Sequence, residues 1–504
     1  MSNGDVRTTA ESQQETIASG FWRQARKNAD ACAIRVEQTR VTYGELLKRN
    51  IQVATWIRAQ KLGGQRIGIK LENGASFIAC FYGAVLAGSI AVPLPADLPN
   101  DQLVDWREHL DLSVVLEAEP GLLSQATSCN EQENQPELDP EQLFYMAVSS
   151  GSTGMPKGIL RTHRSWVESF YRMKEAFGTG GQDMILLPGP LHYSATLIAA
   201  LQVLHEGGEV VLMTRFHSHA VLEHLQSGGV TACFMVPAMY AKLLAMIEQG
   251  RGTEPFTDEN ITFISAGDKL SFELANKWLQ AFPGSSLYEY YGAAEISFVS
   301  YIRHGQNSGE AGSVGRPFPG VEVTIRDEQG QLLKTGEIGG VHVKSSMVAQ
   351  SYGHAQAPPF IQPTVGGYTV GDLGYLDEAG CLHLVGRKQN VIVRGGVNLY
   401  PAEIERALVA DEAISEAAVF GVPDQVLGER IIAAVILANR QDADGEDPEN
   451  TRLAAVLQHR FARARRPDEY WIVPQLPRNA AGKTDKRKLR DLFFEQKGRR
   501  ENER

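Results

Sequence analysis

The residue types with the clearest chemical potential lie in one short run. Residues 149–158 read Ser149-Ser150-Gly151-Ser152-Thr153-Gly154-Met155-Pro156-Lys157-Gly158. Glycines let backbone N–H groups come close to an anion, and the hydroxyls and the lysine surround it with further donors. The run follows the apolar stretch Leu143–Val148, so it leaves the end of an expected strand. This composition suits a polyphosphate. It is not the kinase-type loop G-x-x-x-x-G-K-[ST], because Lys157 stands between Pro156 and Gly158. Gly482-Lys483-Thr484 imitates the end of that motif, but the position of its first glycine is Pro477.

The elements that must position such a loop can be read from periodicity. Arg66–Lys70 reads as a strand, Ala75–Ala87 as a helix and Ser89–Pro93 as a returning strand, which makes a βαβ unit. The alternation recurs. Glu209–Met213, Thr231–Val236 and Ile261–Ser265 read as strands, and Ala220–Gln226, Ala238–Glu248 and Phe272–Phe282 as helices. Strands alternating with helices predict an α/β fold with doubly wound, mostly parallel sheets. From about Val314 the texture turns to strands and turns, with a hairpin signal at Asp377–Gly380. The expected architecture is a large N-terminal domain of doubly wound sheets with a β-rich subdomain, and a small mobile α+β C-terminal domain. The boundary falls near residues 386–396, giving domains 1–388 and 389–504. Thr127–Gln142 and Gln441–Thr451 read as polar connections, and Lys497–Arg504 as a solvated, frayed tail.

Composition narrows the class. The chain has 504 residues, 43% apolar and 22% charged, which is the soluble globular range and excludes disordered, collagenous and disulfide-scaffold proteins. The net charge of −11 argues against nucleic acid or an anionic membrane as the main partner. Five scattered cysteines with no CxxC suggest neither a zinc site nor a disulfide framework. The polar start lacks a signal-peptide pattern, and the longest apolar stretches, such as Leu197–Leu204, fall short of the ~20 residues of a membrane span. A cytoplasmic protein is expected.

The loop resembles the phosphate-binding signature of the adenylate-forming superfamily, which includes acyl-CoA synthetases, peptide-synthetase adenylation domains and beetle luciferases. Further motifs follow in family-like order. Tyr288–Glu295 (YEYYGAAE) is similar to the aromatic-Gly-x-Thr-Glu motif, Gly336–Tyr352 resembles the next block, and Tyr368–Tyr375 (YTVGDLGY) resembles the ribose-aspartate motif. Gly386–Gly396 resembles the hinge, and Pro477–Leu489 (PRNAAGKTDKRKL) the C-terminal lysine motif. The resemblance covers about residues 140–490.

It implies an enzyme that joins a carboxylic acid to ATP, giving an acyl-adenylate and pyrophosphate, and then passes the acyl group to a thiol. Carboxylate and polyphosphate repel, so the site must supply positive charge and position both reactants. By resemblance, residues 149–154, Lys157, Ala266, Gly267, Gly292 and Ala293 belong to the ATP site. Tyr291 would stack on adenine. Glu295 would hold Mg²⁺, a hard ion that prefers oxygen ligands. Asp372 would accept the ribose hydroxyls, and Arg387 would also contact the ribose. Lys483 would bridge the attacking carboxylate and the α-phosphate. The small domain would turn on a hinge at Gln389.

Three departures from the family pattern matter. Ala294 replaces the hydroxyl of the aromatic-Gly-x-Thr-Glu motif. Gln389 stands where Asp or Lys is usual. Pro190–Ser194 (PLHYS) sits where acyl-CoA synthetases often read Pro-Leu-aromatic-His, with His192 and Tyr193 in swapped order. These two residues are candidates for the acid pocket, together with Ser265–Gly267 and Tyr290–Ala293. No Asp occurs within Leu187–Leu197 to pair with an α-ammonium, so a fatty or aromatic acid is favoured over an amino acid. The chain ends soon after the lysine motif, so the expected acceptor arrives in trans. Coenzyme A is the first expectation. The alternative is the phosphopantetheine arm of a separate acyl carrier protein. The expected assembly is a monomer or homodimer. The presence of Lys157, Glu295, Asp372, Arg387 and Lys483 argues against a relative that keeps the fold without turnover.

Overall fold

The computed structural model describes residues 14–117, 137–150, 155–250, 260–305, 312–353, 366–394, 397–411, 413–424, 426–438, 453, 457–458, 461, 463–478 and 484–502. Gly151, Ser152, Thr153, Gly154 and Lys483 therefore lie outside the described residues, as do the loop 441–451 and most of the connection 127–142.

By internal contact the chain forms two units, neither of them one continuous stretch. The first comprises Met1–Val323, His342–Val370 and Ala379–Leu382; the second comprises Thr324–Val341, Gly371–Glu378 and His383–Arg504.

The first unit holds two sheets. In the six-stranded sheet the order is Ser351–Tyr352, Pro156–Thr162, Leu143–Ser150, Ile90–Pro93, Arg66–Ile69, Val114–Leu116. The Arg66–Ile69 and Ile90–Pro93 strands are parallel, joined through the helix Ala75–Leu86, as the βαβ reading required. That helix buries Phe77 through Leu86 without interruption, which suits a crossover covered on all sides. The nine-stranded sheet runs Arg316–Pro317, Ser297–Arg303, Ser286–Ala293, Thr262–Ser265, Ala232–Met235, Met184–Leu187, Glu209–Leu212, Cys32–Val36, Thr39–Thr42. Its centre is parallel, and antiparallel pairs close both ends. Apart from Glu209 at the start of one of them, the short central strands are apolar, as expected for strands buried on both faces.

In the second unit the long antiparallel pair Ile414–Asp424 and Gly428–Leu437 serves two cores. Val419, Ile431, Ala433 and Val435 pack with Ile404, Ala407 and Leu408 of the helix Pro401–Val409. The alternate residues Ala418, Phe420, Val422, Ile432 and Ala434 pack with Val473, Leu476, Leu489 and Phe493. Period-2 alternation sends neighbouring side chains to opposite faces, so one hairpin anchors both layers. A smaller four-stranded sheet contains Glu322–Arg326, Gly339–Lys344, Asp372–Leu376 and Leu382–Arg387 in that order. The expected turn at Asp377–Gly380 joins its last two strands, with Gly380 at φ +77°.

The C-terminal run differs from expectation. It is helical through Asn502 rather than frayed from Lys497. Lys, Glu, Gln and Arg are good helix formers, and Leu489 and Phe493, one turn apart, seat the helix on the hairpin. Cys32, Cys80, Cys233 and Cys381, the cysteines among the described residues, form no disulfide there. No helix of the described residues is long and apolar enough to cross a membrane.

A buried histidine, His163, and a half-buried one, His192, give the large unit a pH dependence. His163 stacks on Phe144 at 4.7 Å, and its Nδ1 accepts from the Ile17 amide at 3.4 Å. Burial lowers its pKa from 6.5 to about 3, against the opposing charge of Asp139. His192 is lowered to about 4, again chiefly by burial, with Asp97 opposing. Both are neutral in the folded state, and the unfolded chain takes up their protons first as pH falls. Stability is therefore complete above pH 6.5 and declines as pH falls toward 4, by an amount on the order of several kcal/mol. The urea midpoint should drop across this window. His163→Asn, which keeps an acceptor for the Ile17 amide, should lessen the drop; an equal drop would remove His163 as a cause.

Candidate active site

The glycine-rich loop sits at the tip of an antiparallel hairpin. Leu143–Ser150 pairs with Pro156–Thr162, with Ser149 opposite Lys157 and Ser150 opposite Pro156. The base of the hairpin is rigid: Phe144, Tyr145, Met146, Ile159 and Leu160 are buried. Lys157 is exposed, so its ammonium stays in water beside the tip. A stiff stem carrying a loop of small and hydroxyl residues is the arrangement an anion cradle needs.

Ala266 and Gly267 follow the strand Thr262–Ser265, and Tyr291 lies near the end of its parallel neighbour Ser286–Ala293. Both positions are at carboxyl ends of parallel strands, where α/β sheets place their ligands. Gly267 adopts φ +94°, a conformation that L side chains rarely take. Gly292 is required by proximity: a Cβ there would meet the Ser297 carbonyl oxygen at 2.0 Å. Beside Tyr291, the Tyr290 ring packs edge-on against Phe298 at 4.8 Å and Phe298 stacks on Phe318 at 5.3 Å.

Glu295 sits in the turn Ala293–Ile296, closed by Ile296 N donating to Ala293 O at 3.1 Å. Ser297 immediately after has φ +56°, a strained value for a non-glycine residue of the kind that collects at functional turns. The Glu295 carboxylate is half-buried and makes no hydrogen bond or ion pair among the described residues. An oxygen donor without a partner among the described residues, partly shielded from water, fits a hard cation such as Mg²⁺. No three-residue His/Cys/Asp/Glu cluster able to hold a metal exists among the described residues. The methyl of Ala294 supplies no hydrogen bond, but the Ala294 carbonyl accepts from Arg161 Nη1 at 2.9 Å.

The PLHYS segment joins the strand Met184–Leu187 to the helix Ser194–Glu206. Asn73 fixes it: its amide donates to Gly189 O at 2.8 Å, and its carbonyl accepts from Leu191 N at 2.8 Å. The His192 and Tyr193 rings lie 4.3 Å apart. With its pKa near 4, His192 is neutral at physiological pH and a weak base. The Tyr145 hydroxyl pairs with Ser194 Oγ at 2.9 Å, tying the segment to the glycine-loop hairpin.

In the second unit Asp372 and Arg387 meet directly, Nε to Oδ1 at 2.9 Å, on neighbouring strands. Asp372 is 6% exposed, while the Arg387 side chain is 48% exposed. The arginine therefore orients a nearly buried carboxylate and keeps much of its own surface outward. Lys388 N donates to Gly371 O at 2.8 Å, bracing the same corner. Gln389 follows in a single turn of 3₁₀ helix, Lys388–Asn390, and is exposed.

Lys483 lies outside the described residues, but its flanks are described. Arg478 and Thr484, on either side of residues 479–483 in sequence, form an isolated antiparallel bridge. Arg478 pairs with Glu416. Lys486 donates to Glu405 at 2.6 Å and to Val419 O at 3.1 Å. Asp485 caps the final helix, accepting from Arg487 N at 3.1 Å and Lys488 N at 3.0 Å. Both flanks are thus pinned to the hairpin core.

Sequence reasoning missed Arg161, Ser297 and the Glu405–Lys486 pair. Arg161 had a signal: a charged residue within the otherwise apolar Gly158–Leu160 continuation of a strand. The Glu405–Lys486 pair, 81 residues apart, had none.

Comparison with known proteins agrees with this geometry. Residues 21–353 match the family model described as AMP-binding enzyme, and residues 403–483 match AMP-binding enzyme C-terminal domain. The chain is 33% identical over 496 residues to an uncharacterized acyl-CoA ligase, YhfT, of Bacillus subtilis, covering 95% of this chain and 99% of that protein. It is 28% identical to a feruloyl-CoA synthase of an Amycolatopsis species, covering 94% and 99%. Among solved structures, o-succinylbenzoate coenzyme A synthetase (MenE) of Bacillus subtilis, in complex with ATP and magnesium ion, superposes with a TM-score of 0.78 at 25% identity, covering 92% of this chain and 98% of that one. A match over residues 21–353, a second match containing the lysine loop, and a full-length relative at 33% identity establish that the chain belongs to the AMP-binding enzyme family.

Proposed function

We propose that the chain is an AMP-forming acid–CoA ligase acting on a fatty or aromatic carboxylic acid. A single observation carries the reading. The strand that follows the glycine-rich run is tied to the Glu295 turn, since Arg161 on Pro156–Thr162 donates to the Ala294 carbonyl, 133 residues away in sequence. A glycine- and hydroxyl-rich run, and a carboxylate with no partner among the described residues, both joined to one strand, suit a magnesium–nucleotide complex.

In the first half-reaction a carboxylate oxygen attacks the α-phosphorus of ATP, and the bond to pyrophosphate breaks. Residues 149–154 and Lys157 receive the polyphosphate, while Ala266, Gly267, Gly292, Ala293 and Tyr291 receive the adenine. Asp372, oriented by Arg387, accepts from the ribose hydroxyls. Glu295 is the residue to hold Mg²⁺, which would supply charge neutralisation at the phosphates. Lys483 bridges the incoming carboxylate and the α-phosphate. In the second half-reaction the thiol sulfur attacks the acyl carbon, the acyl–phosphate bond breaks and AMP leaves. The turnover between half-reactions uses the hinge at Gln389, with 1–388 and 389–504 as its two arms.

Two features support the substrate class. The PLHYS segment offers a neutral His192 and Tyr193 with no Asp to meet an ammonium, and a full-length relative is named for an aryl acid. The test is AMP release with a fatty or aryl acid, ATP and either CoA or a phosphopantetheinylated carrier protein. Release with CoA is expected; release only with the carrier would reassign the acceptor.

A further inference from the structure

Arg161 is 3% exposed, and no carboxylate lies within ion-pair distance of it among the described residues. Desolvating a guanidinium without a counter-ion costs several kcal/mol. Burial does lower its pKa, with Tyr145 and Glu295 opposing, but only to about 10, so it is charged at neutral pH. Its donors are met by oxygen atoms instead. Nη1 donates to Ala294 O at 2.9 Å and Nη2 to Met347 O at 2.7 Å. Nε donates to Ser165 Oγ at 3.2 Å, and Nη2 makes a longer contact to Ser165 O at 3.4 Å.

These contacts converge on one residue. The Ala294 carbonyl belongs to the peptide entering Glu295. The peptide leaving Glu295 is held from the other side, because Ala349 N donates to Glu295 O at 2.8 Å. The segment carrying Ala349 is itself tied to Arg161 through Met347, and Gln350 N donates to Leu160 O at 2.9 Å beside it. Two peptide planes set the backbone angles of the residue between them. One guanidinium thus governs both planes that aim the Glu295 side chain.

We infer that Arg161 is a positioning residue that fixes the direction of the Glu295 carboxylate for its metal, using its fork of donors rather than its charge. This rests on the metal role proposed above for Glu295. Lysine offers the charge without a planar fork, so it does not replace arginine here.

The experiment measures ATP affinity by calorimetry with and without Mg²⁺, for the wild type, Arg161→Lys, Arg161→Met and Ser165→Ala. Partners that orient a metal ligand typically contribute ~10–100-fold to metal affinity or activity. The tightening of ATP binding by Mg²⁺ should fall about that much in both Arg161 variants. Metal-free ATP affinity should stay unchanged, and so should acyl transfer from supplied acyl-adenylate to thiol. Ser165→Ala, which removes one acceptor, should show a smaller loss in the same direction, and it decides the matter if an Arg161 variant does not fold. Restoration by lysine would overturn the proposal, since charge alone would then suffice. A parallel fall of metal-free and metal-bound affinity would also overturn it, as a general structural defect. Absence of any Mg²⁺ effect in the wild type would remove the metal role of Glu295 and the clamp with it, while leaving the family assignment intact.

Discussion

Lys483→Ala should abolish adenylate formation, with a loss on the order of 10²–10³ in the rate of ATP–pyrophosphate exchange. The same variant should retain most of its transfer from supplied acyl-adenylate to thiol. The anionic carboxylate has to be brought against the anionic α-phosphate only in the first half-reaction, so a cation bridging the two acts chiefly there. The residues flanking 479–483 are joined by the Arg478–Thr484 bridge and pinned by Arg478–Glu416 and Lys486–Glu405. These ties do not involve the Lys483 side chain, so the substitution should leave the fold of the second unit intact. An equal fall of both half-reactions in a folded variant would contradict this division of labour.

Glu295→Ala should lower the adenylation rate on the order of 10²-fold and move its Mg²⁺ dependence to higher concentration. The carboxylate makes no hydrogen bond or ion pair among the described residues, so its removal leaves no buried donor stranded. The turn is held by its backbone, through Arg161 to Ala294 O and Ala349 to Glu295 O, and these contacts survive the substitution. Thermal stability should therefore change little while the metal response changes greatly. Unchanged Mg²⁺ dependence of the adenylation rate would take Glu295 out of the metal site.

Much of the fold was legible because its signals are local. The helix at 75–86 and the strands around it were read within a residue or two, since apolar runs, glycines and turn residues mark them directly. The strand leading into the glycine-rich run was read from Leu143–Val148, but its antiparallel return, Pro156–Thr162, was not.

What was not legible depends on contacts between distant residues. The interleaving of 324–341 and 371–378 with the C-terminal unit follows from strand pairing, which composition does not encode. Asp372 and Arg387 were each assigned to a ribose by resemblance, but their mutual pairing, 15 residues apart on adjacent strands, needs the register. Glu15 is another case. It bonds to Tyr171 at 2.6 Å and to His205 at 3.3 Å, anchoring the N-terminal helix to two others. Burial alone would raise its pKa, yet the His205 hydrogen bond and charge, with Tyr171 and Arg23, hold it well below the usual carboxylate range. In sequence it is one acid among 60. Arg161 stands out in sequence only as a charge in an apolar strand; its role shows once three carbonyl-bearing segments are seen around it.

The most direct test of the central claim is ATP–pyrophosphate exchange across a panel of fatty, aryl, dicarboxylic and amino acids. Exchange with fatty or aryl acids, absent without acid and lost in Lys483→Ala, is the expected result. A folded protein that binds ATP and is silent with every acid, or one that responds only to amino acids, would contradict it.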